Sequence, residues 1–230
     1  MSWVWKLLKM CLLIILISTT ISLRKEESFG IDVSHHNGKI NWNEVAKYER
    51  PLFVYVKATE GATYIDPSYS NNMKGATKEG LKVGCYHYFR MTSSAHKQFQ
   101  NFSKALAMHH QDLIPMIDVE TLDKKTPKQV RDSVYVFITL IKEKFGITPM
   151  IYGTNKSYNQ ICAPYFNNYH LYLGRYGKNK PIIKGKGHYT IWQFTENGIV
   201  KGIPKNVDKA IFHPDYGLEN ILWVRDGMAK

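Results

Sequence analysis

Leu113-Ile114-Pro115-Met116-Ile117-Asp118-Val119-Glu120 is an apolar run that ends in two carboxylates one residue apart. Such a run, bounded by polar sequence, reads as a buried strand. Side chains on a strand alternate between faces, so Asp118 and Glu120 project the same way. Their Cα atoms lie about 6.5 Å apart at roughly 3.3 Å rise per residue. Two carboxyl groups this close at the end of an apolar strand do not both ionise freely, and one keeps a raised pKa. A neutral acid beside an anion is the pairing that glycoside hydrolysis uses. The tripeptide alone equally describes a strand ending in solvated acids, so the flanking sequence has to decide.

Upstream, Phe29 to Ser34 is a brief strand ending at Asp32, and Ile40 to Tyr48 a short helix with Asn41 or Asn43 as its cap. Leu52 to Ala58 is a β-branched and aromatic strand that runs into the polar turn Thr59-Glu60-Gly61. Tyr69 to Glu79 has helical spacing and stops at Gly80. Leu81 to Phe89 is a third strand, and Ser93 or Ser94 caps a helix from Ala95 to about Met108. Downstream, Thr126-Pro127 opens an amphipathic helix with Val130, Val134, Phe137, Ile138 and Ile141 on one face, ending near Gly146. Pro149 to Tyr152 is a fifth strand, followed by a short helix from Asn155 to Ile161.

The pattern then changes. Leu171 to Tyr176 and Tyr189 to Phe194 read as strands with no helix between them, and Lys209 to Phe212 as a last short strand just after Asp208. The tail residues Ile221, Leu222, Trp223 and Val224 are expected to pack back on the body. Alternation of strand and helix implies parallel strands. The fold class is α/β: a modified TIM-like barrel of about five β/α units followed by about three strands with little helix. In such barrels the site lies at the C-terminal ends of the strands. The polar residues there are Asp32, Glu60, Asp118, Glu120, Tyr152, Arg175 and Gln193.

The formal net charge is +12, and the first 25 residues supply four of those charges (Lys6, Lys9, Arg24, Lys25) with no acid, leaving 12 − 4 = +8 on the rest. A basic surface favours an anionic partner. The candidates are nucleic acid, acidic lipid and an anionic cell-wall polymer; without zinc-finger spacing, a phosphate-binding glycine loop or a cluster of basic residues on one helix, nucleic acid is the weaker choice. Lys6 and Lys9 precede the apolar run Met10 to Ile17, with small residues after it. That reads as an export signal, or as an uncleaved membrane anchor, over residues 1–24. Residues 25–230 then form a single domain. Cys85 and Cys162 leave room for one disulfide, but Cys85 sits in a buried-looking strand and fits an inert thiol better. His35, His36 and His87 lack metal-site spacing and read as polar cleft or packed residues, so no metal and no cofactor are expected.

Six motifs now stand in order: Gly30-Ile31-Asp32-Val33-Ser34, Val56-Lys57-Ala58-Thr59-Glu60-Gly61, Val83 to Phe89, Asp118-Val119-Glu120, Ile191-Trp192-Gln193 and Val207-Asp208. Together they resemble glycoside hydrolase family 25, the Chalaropsis-type lysozymes or N-acetylmuramidases, over roughly residues 29–212. The resemblance implies a secreted or surface enzyme that cleaves the β-1,4 bond between N-acetylmuramic acid and N-acetylglucosamine in peptidoglycan with retention. Glu120 would match the general acid and Asp118 the neighbouring carboxylate, acting as nucleophile or as positioner of the substrate acetamido group. Asp32 and Asp208 would match two further cleft acids. Tyr86, Tyr152 and Trp192 stand where the family has sugar-contacting aromatics, with core packing as the alternative for Tyr86 and Trp192. Arg175 would bind a substrate carboxylate or pair with Asp208, and Glu60, grouped with the substrate-binding residues, would brace Lys57 or another residue of the barrel mouth. A monomer is expected. The chain departs from the family's pattern at His35-His36, where an aromatic such as Trp often stands, and at Leu171 to Tyr176; both changes bear on sugar subsites. Competing readings are a histidine-dependent zinc amidase, a non-catalytic wall-binding protein and a hydrolase of another N-acetylated glycan such as chitin.

Overall fold

The computed structural model describes residues 28–224, so the apolar N-terminal segment and the role expected of it lie outside the described residues. The strands are β1 (Gly30–Val33), β2 (Val54–Glu60), β3 (Tyr64–Ile65), β4 (Val83–Tyr88), β5 (Met116–Asp118), β6 (Met150–Thr154), β7 (Leu171–Gly174), β8 (Ile191–Gly198) and β9 (Val207–Phe212). β1, β2, β4, β5, β6, β7 and β8 pair in parallel, each with the next. β9 runs antiparallel to both β8 and β1 and closes the barrel, while β3 folds back on β2. The result is a closed eight-stranded barrel of mixed sense, the modified TIM-like barrel the alternation predicts, with its thinned last third.

The crossovers carry α1 (Trp42–Glu44, running into a π turn over Val45–Glu49), α2 (Tyr69–Lys78), α3 (Ala95–Met108), α4 (Pro127–Phe145) and α5 (Asn155–Ile161). Local chemistry sets the ends of these helices. The Ser94 hydroxyl accepts from the Lys97 amide, and Thr126 with Gln129 forms a reciprocal capping box ahead of Pro127. Gly146, at φ 67°, ends α4 in the left-handed conformation that glycine adopts without cost. Between β7 and β8 the chain forms no helix.

The period of two sorts the strand side chains into two layers. Tyr55, Met116, Met150, Tyr152, Tyr172 and Ile191 point into the barrel, above a floor of Phe53, Leu113, Ile114 and Ile221. Val54, Val56, Ile117, Val119, Ile151, Leu171, Leu173 and Trp192 point outward against the helices, where they meet the expected stripe Val130, Val134, Phe137, Ile138 and Ile141. Each such aliphatic side chain taken out of water contributes roughly 1.5–3 kcal/mol. Gly30 is required by the floor: a Cβ there would lie 2.0 Å from Phe53 Cζ.

The structure corrects two element boundaries here. Of the run 113–120 only Met116–Asp118 pairs as strand. Pro115 has no amide to give a ladder, and Leu113 and Ile114 turn under the barrel, where Leu113 bridges Leu222 and the Ile114 amide donates to Ile221 O. The tail packs back through Ile221, Leu222 and Trp223, but Val224, expected with them, stays exposed. The last strand begins at Val207 and so takes in Asp208. Cys85 and Cys162 are both free and buried, and burial pushes each thiol up to about 12, so neither is a thiolate at neutral pH.

Candidate active site

A cleft of about 230 Å³ opens at the C-terminal ends of the parallel strands, and five acids line it: Asp32, Asp118, Glu120, Glu196 and Asp208. Tyr86, Tyr88, Tyr152 and Tyr176 form much of the remaining wall, with Lys57 as its one Lys or Arg among the described residues. A larger depression of about 740 Å³ lies at the opposite pole, between the C-terminal ends of α3 and α4, and holds no carboxylate.

Asp118 ends β5 and Glu120 follows two residues later, both inward with Met116, as the alternation predicts. Asp118 is buried, and its Oδ1 has no hydrogen-bond partner among the described residues. Burial raises the Asp118 pKa well above the usual carboxylate range, and the negative charges of Glu120 and Asp32 add to this. Burial also raises Glu120, against a hydrogen bond from Tyr88. Lys57 works the other way on both carboxyls.

A second pair of acids faces them. The antiparallel register of β1 with β9 sets Asp32 opposite Asp208. Asp32 Oδ2 accepts from the Tyr172 hydroxyl at 2.7 Å and from Gln193 Nε2 at 3.1 Å, and Gln193 Oε1 accepts from the Tyr152 hydroxyl at 2.7 Å. Asp32 and Asp208 also hydrogen-bond each other. Both pKa values are raised, first by burial, and Asp208 further by the negative charge of Asp32. Asp32 collects the donors, so the proton that the pair shares rests on Asp208.

Beside the cleft, sharing His36 and Lys57 with it, is a shallower groove. Lys57 Nζ donates to Glu60 at 2.8 Å, and Arg90 Nη1 donates to the other Glu60 oxygen at 2.9 Å. Arg90 also clasps Asp123 through Nε and Nη2, at 2.9 and 3.1 Å. Asp123 and Lys124 sit at positive φ, 44° and 64°, in the loop that follows Glu120. His35 Nδ1 lies 2.7 Å from Asp66, and the His35 and His36 rings sit 3.9 Å apart.

Not every expected residue meets in the cleft. Asp32, Asp118, Glu120, Asp208, Tyr86 and Tyr152 do. Trp192 lies between Ile191 and Gln193 and so faces outward; its Nε1 donates to Arg175 O at 2.7 Å. Arg175 Nη1 donates to Lys180 O at 2.7 Å, within its own loop, rather than to Asp208. Glu60 lines the neighbouring groove and braces Lys57. His87 is buried with Nδ1 on Thr59 and Nε2 on Gln98, so both ring nitrogens are engaged. Tyr88 and Lys57 were not expected in the cleft, Lys57 only as a partner of Glu60, although each follows by two an inward residue, Tyr86 and Tyr55. Nothing in the sequence marked Glu196, which lies past the expected end of its strand.

Residues 31–203 match the family model described as glycosyl hydrolases family 25. The chain belongs to glycosyl hydrolase family 25. The protein YegX of Escherichia coli, itself uncharacterized, is 33% identical over 188 residues, 80% of this chain and 69% of that one. The autolytic lysozyme of Clostridium acetobutylicum is 32% identical over 181 residues, 78% of this chain and 54% of that one. A solved family 25 glycosyl hydrolase from Bacillus anthracis superposes with a TM-score of 0.75 at 27% identity, covering 84% of this chain and 94% of that one. The chain is therefore a glycoside hydrolase. The family 25 match holds Asp32, Asp118 and Glu120 and ends just before Asp208, which the barrel closure returns to Asp32.

Proposed function

We propose that the enzyme is a lysozyme (N-acetylmuramidase) that hydrolyses the β-1,4 bond between N-acetylmuramic acid and N-acetylglucosamine in peptidoglycan with retention. The observation that carries this reading is Asp118 Oδ1, a buried carboxylate oxygen with no hydrogen-bond partner among the described residues, beside a second carboxyl of raised pKa. A substrate amide N–H donating to that oxygen favours the anion of Asp118 and leaves the proton on Glu120. Glu120 then protonates the glycosidic oxygen as the bond to the leaving sugar breaks, and later takes a proton from the attacking water. Asp118 either attacks the anomeric carbon or holds the 2-acetamido group so that its carbonyl oxygen attacks. Asp32 and Asp208 fix Tyr172 and Gln193 and hold charge density at the rim. Tyr86, Tyr88, Tyr152 and Tyr176 supply ring faces and hydroxyls to the sugars. Trp192 supports the rim from behind, Arg175 shapes the β7–β8 loop and Glu60 holds Lys57. Segment 1–24 serves export, as signal or anchor, with residues 25–230 as one catalytic domain acting as a monomer at or beyond the cell surface.

Mass spectrometry of the products released from purified peptidoglycan tests this reading. Disaccharide-peptides with reducing muramic acid ends are expected, and a Glu120→Gln variant should release them about 10²–10⁴-fold more slowly. Free stem peptides, or products from chitin oligomers alone, would overturn it. A fluorinated glycoside that leaves a mass adduct on Asp118 would mark it as nucleophile; the absence of an adduct would assign attack to the acetamide.

A further inference from the structure

The β7–β8 connection takes the place of a helix in the barrel. It leaves the cleft rim at Arg175 and Tyr176 and runs down the flank of the barrel beside α5. Its backbone is held by side chains rather than by its own turns. Asn155 Oδ1 accepts from the Ile182 amide at 2.7 Å, and Asn159 binds both Ile182 O and the Lys184 amide, at 2.6 and 2.7 Å. Asn167 Nδ2 donates to Lys184 O and Lys186 O, at 2.9 and 2.8 Å, and Arg175 holds Lys180 O. Five backbone groups fixed by asparagines make this a shaped surface and not a floppy loop.

The charges on that surface are uncompensated. Lys178, Lys180, Lys184 and Lys186 are exposed, and none forms an ion pair among the described residues. From Lys144 to Thr195 the sequence contains no Asp or Glu at all, so α5 offers them no acid. A solvated face of ordinary composition mixes the two signs. Here a braced backbone displays four exposed ammonium groups, unpaired among the described residues, on a segment that starts beside Tyr176 at the active cleft.

We infer that this loop is a docking rail for a phosphodiester polyanion attached to the glycan being cleaved. The inference rests on the muramidase reading above. Lysine suits this partner: an ammonium group is a compact point charge with rotating donors, matched to phosphates on a mobile chain. The rail meets the cleft at Tyr176, so its partner is expected to be joined to whatever the cleft holds. A lipid surface fits less well, because Ile182 is the one strongly exposed aliphatic side chain on the loop.

The test uses the full chain and a variant with Lys178, Lys180, Lys184 and Lys186 all changed to Gln. These side chains are exposed and unpaired, so folding should be preserved. Co-sedimentation with intact wall sacculi, with sacculi chemically stripped of phosphodiester polymers, and with anionic phospholipid vesicles reads binding without turnover. The wild type should bind intact sacculi at least about tenfold more tightly than the variant at low salt, and the gap should close near 1 M salt, where charges are screened within about 3 Å. On stripped sacculi the two proteins should be equal, and on soluble glycan fragments their kcat/KM should agree within twofold. Equal binding to intact sacculi, an advantage that survives stripping, or a loss seen on vesicles alone would each overturn the rail. Failure to release muramic acid products would refute the muramidase reading separately, because sedimentation needs no hydrolysis.

Discussion

Lys57 is the residue whose replacement reports most directly on the acid pair. Its charge lowers the pKa of both Asp118 and Glu120, and Lys57→Met removes it while keeping the stem. The acid limb of the kcat/KM profile reports the anion and the alkaline limb the proton donor, so both limbs should move to higher pH. A profile that stays in place would disprove the coupling. Asp208 makes a different prediction. Its folded pKa lies above its unfolded one, so its neutral form contributes stability below the unfolded value, and that contribution is lost as pH rises through the folded value. Asp208→Asn keeps the neutral shape at every pH. Its thermal midpoint relative to wild type should therefore be higher at pH 9 than at pH 4, at about 2–4 °C per kcal/mol. An unchanged difference across that range would rule the shared proton out. Asp118 and Glu120 were legible because the ladder carries on past the end of β5, with the Val119 amide on Tyr152 O, so a two-residue spacing keeps both on one face. Trp192 was misplaced for the same reason read in the wrong phase: fixing Gln193 inward forces its neighbour outward.

The loop after β5 depends on an anchor from another element. Arg90, just past β4, grips Asp123 on one side and Glu60 on the other, joining the Glu120 loop to the residue that holds Lys57. Arg90→Met should lower kcat by about tenfold to a hundredfold, since small misplacements of a catalytic group are costly. KM should stay within about twofold, and Arg90→Lys should restore part of the rate. A change confined to thermal stability would reduce Arg90 to a structural role. Packing between α1 and α2 is as tight. A Cβ at Gly75 would stand 2.2 Å from Trp42 Cδ1, so Gly75→Ala should cost about 1–3 kcal/mol in chemical denaturation. Helices were readable from caps and apolar stripes; strand ends were not. Pairing is decided by the neighbour, which is why β5 is three residues long and β8 runs on to Gly198.

At the scale of the molecule, strand–helix alternation announced the barrel, and the missing helices announced its irregular third. The direction of the last strand was not legible, because a strand's own residues do not record which way its neighbours run. That direction matters for the cleft. In a parallel strand the rim residue comes at the end, whereas β9 delivers Asp208 near its start, and the β8–β9 hairpin therefore stands at the cleft mouth with Glu196 on its wall. A hairpin can gain or lose residues in pairs at its tip while its base keeps register. The depth of one cleft wall is thus free to vary without touching the strands that set the acids, and relatives can tailor how much glycan they enclose by trimming a single ribbon.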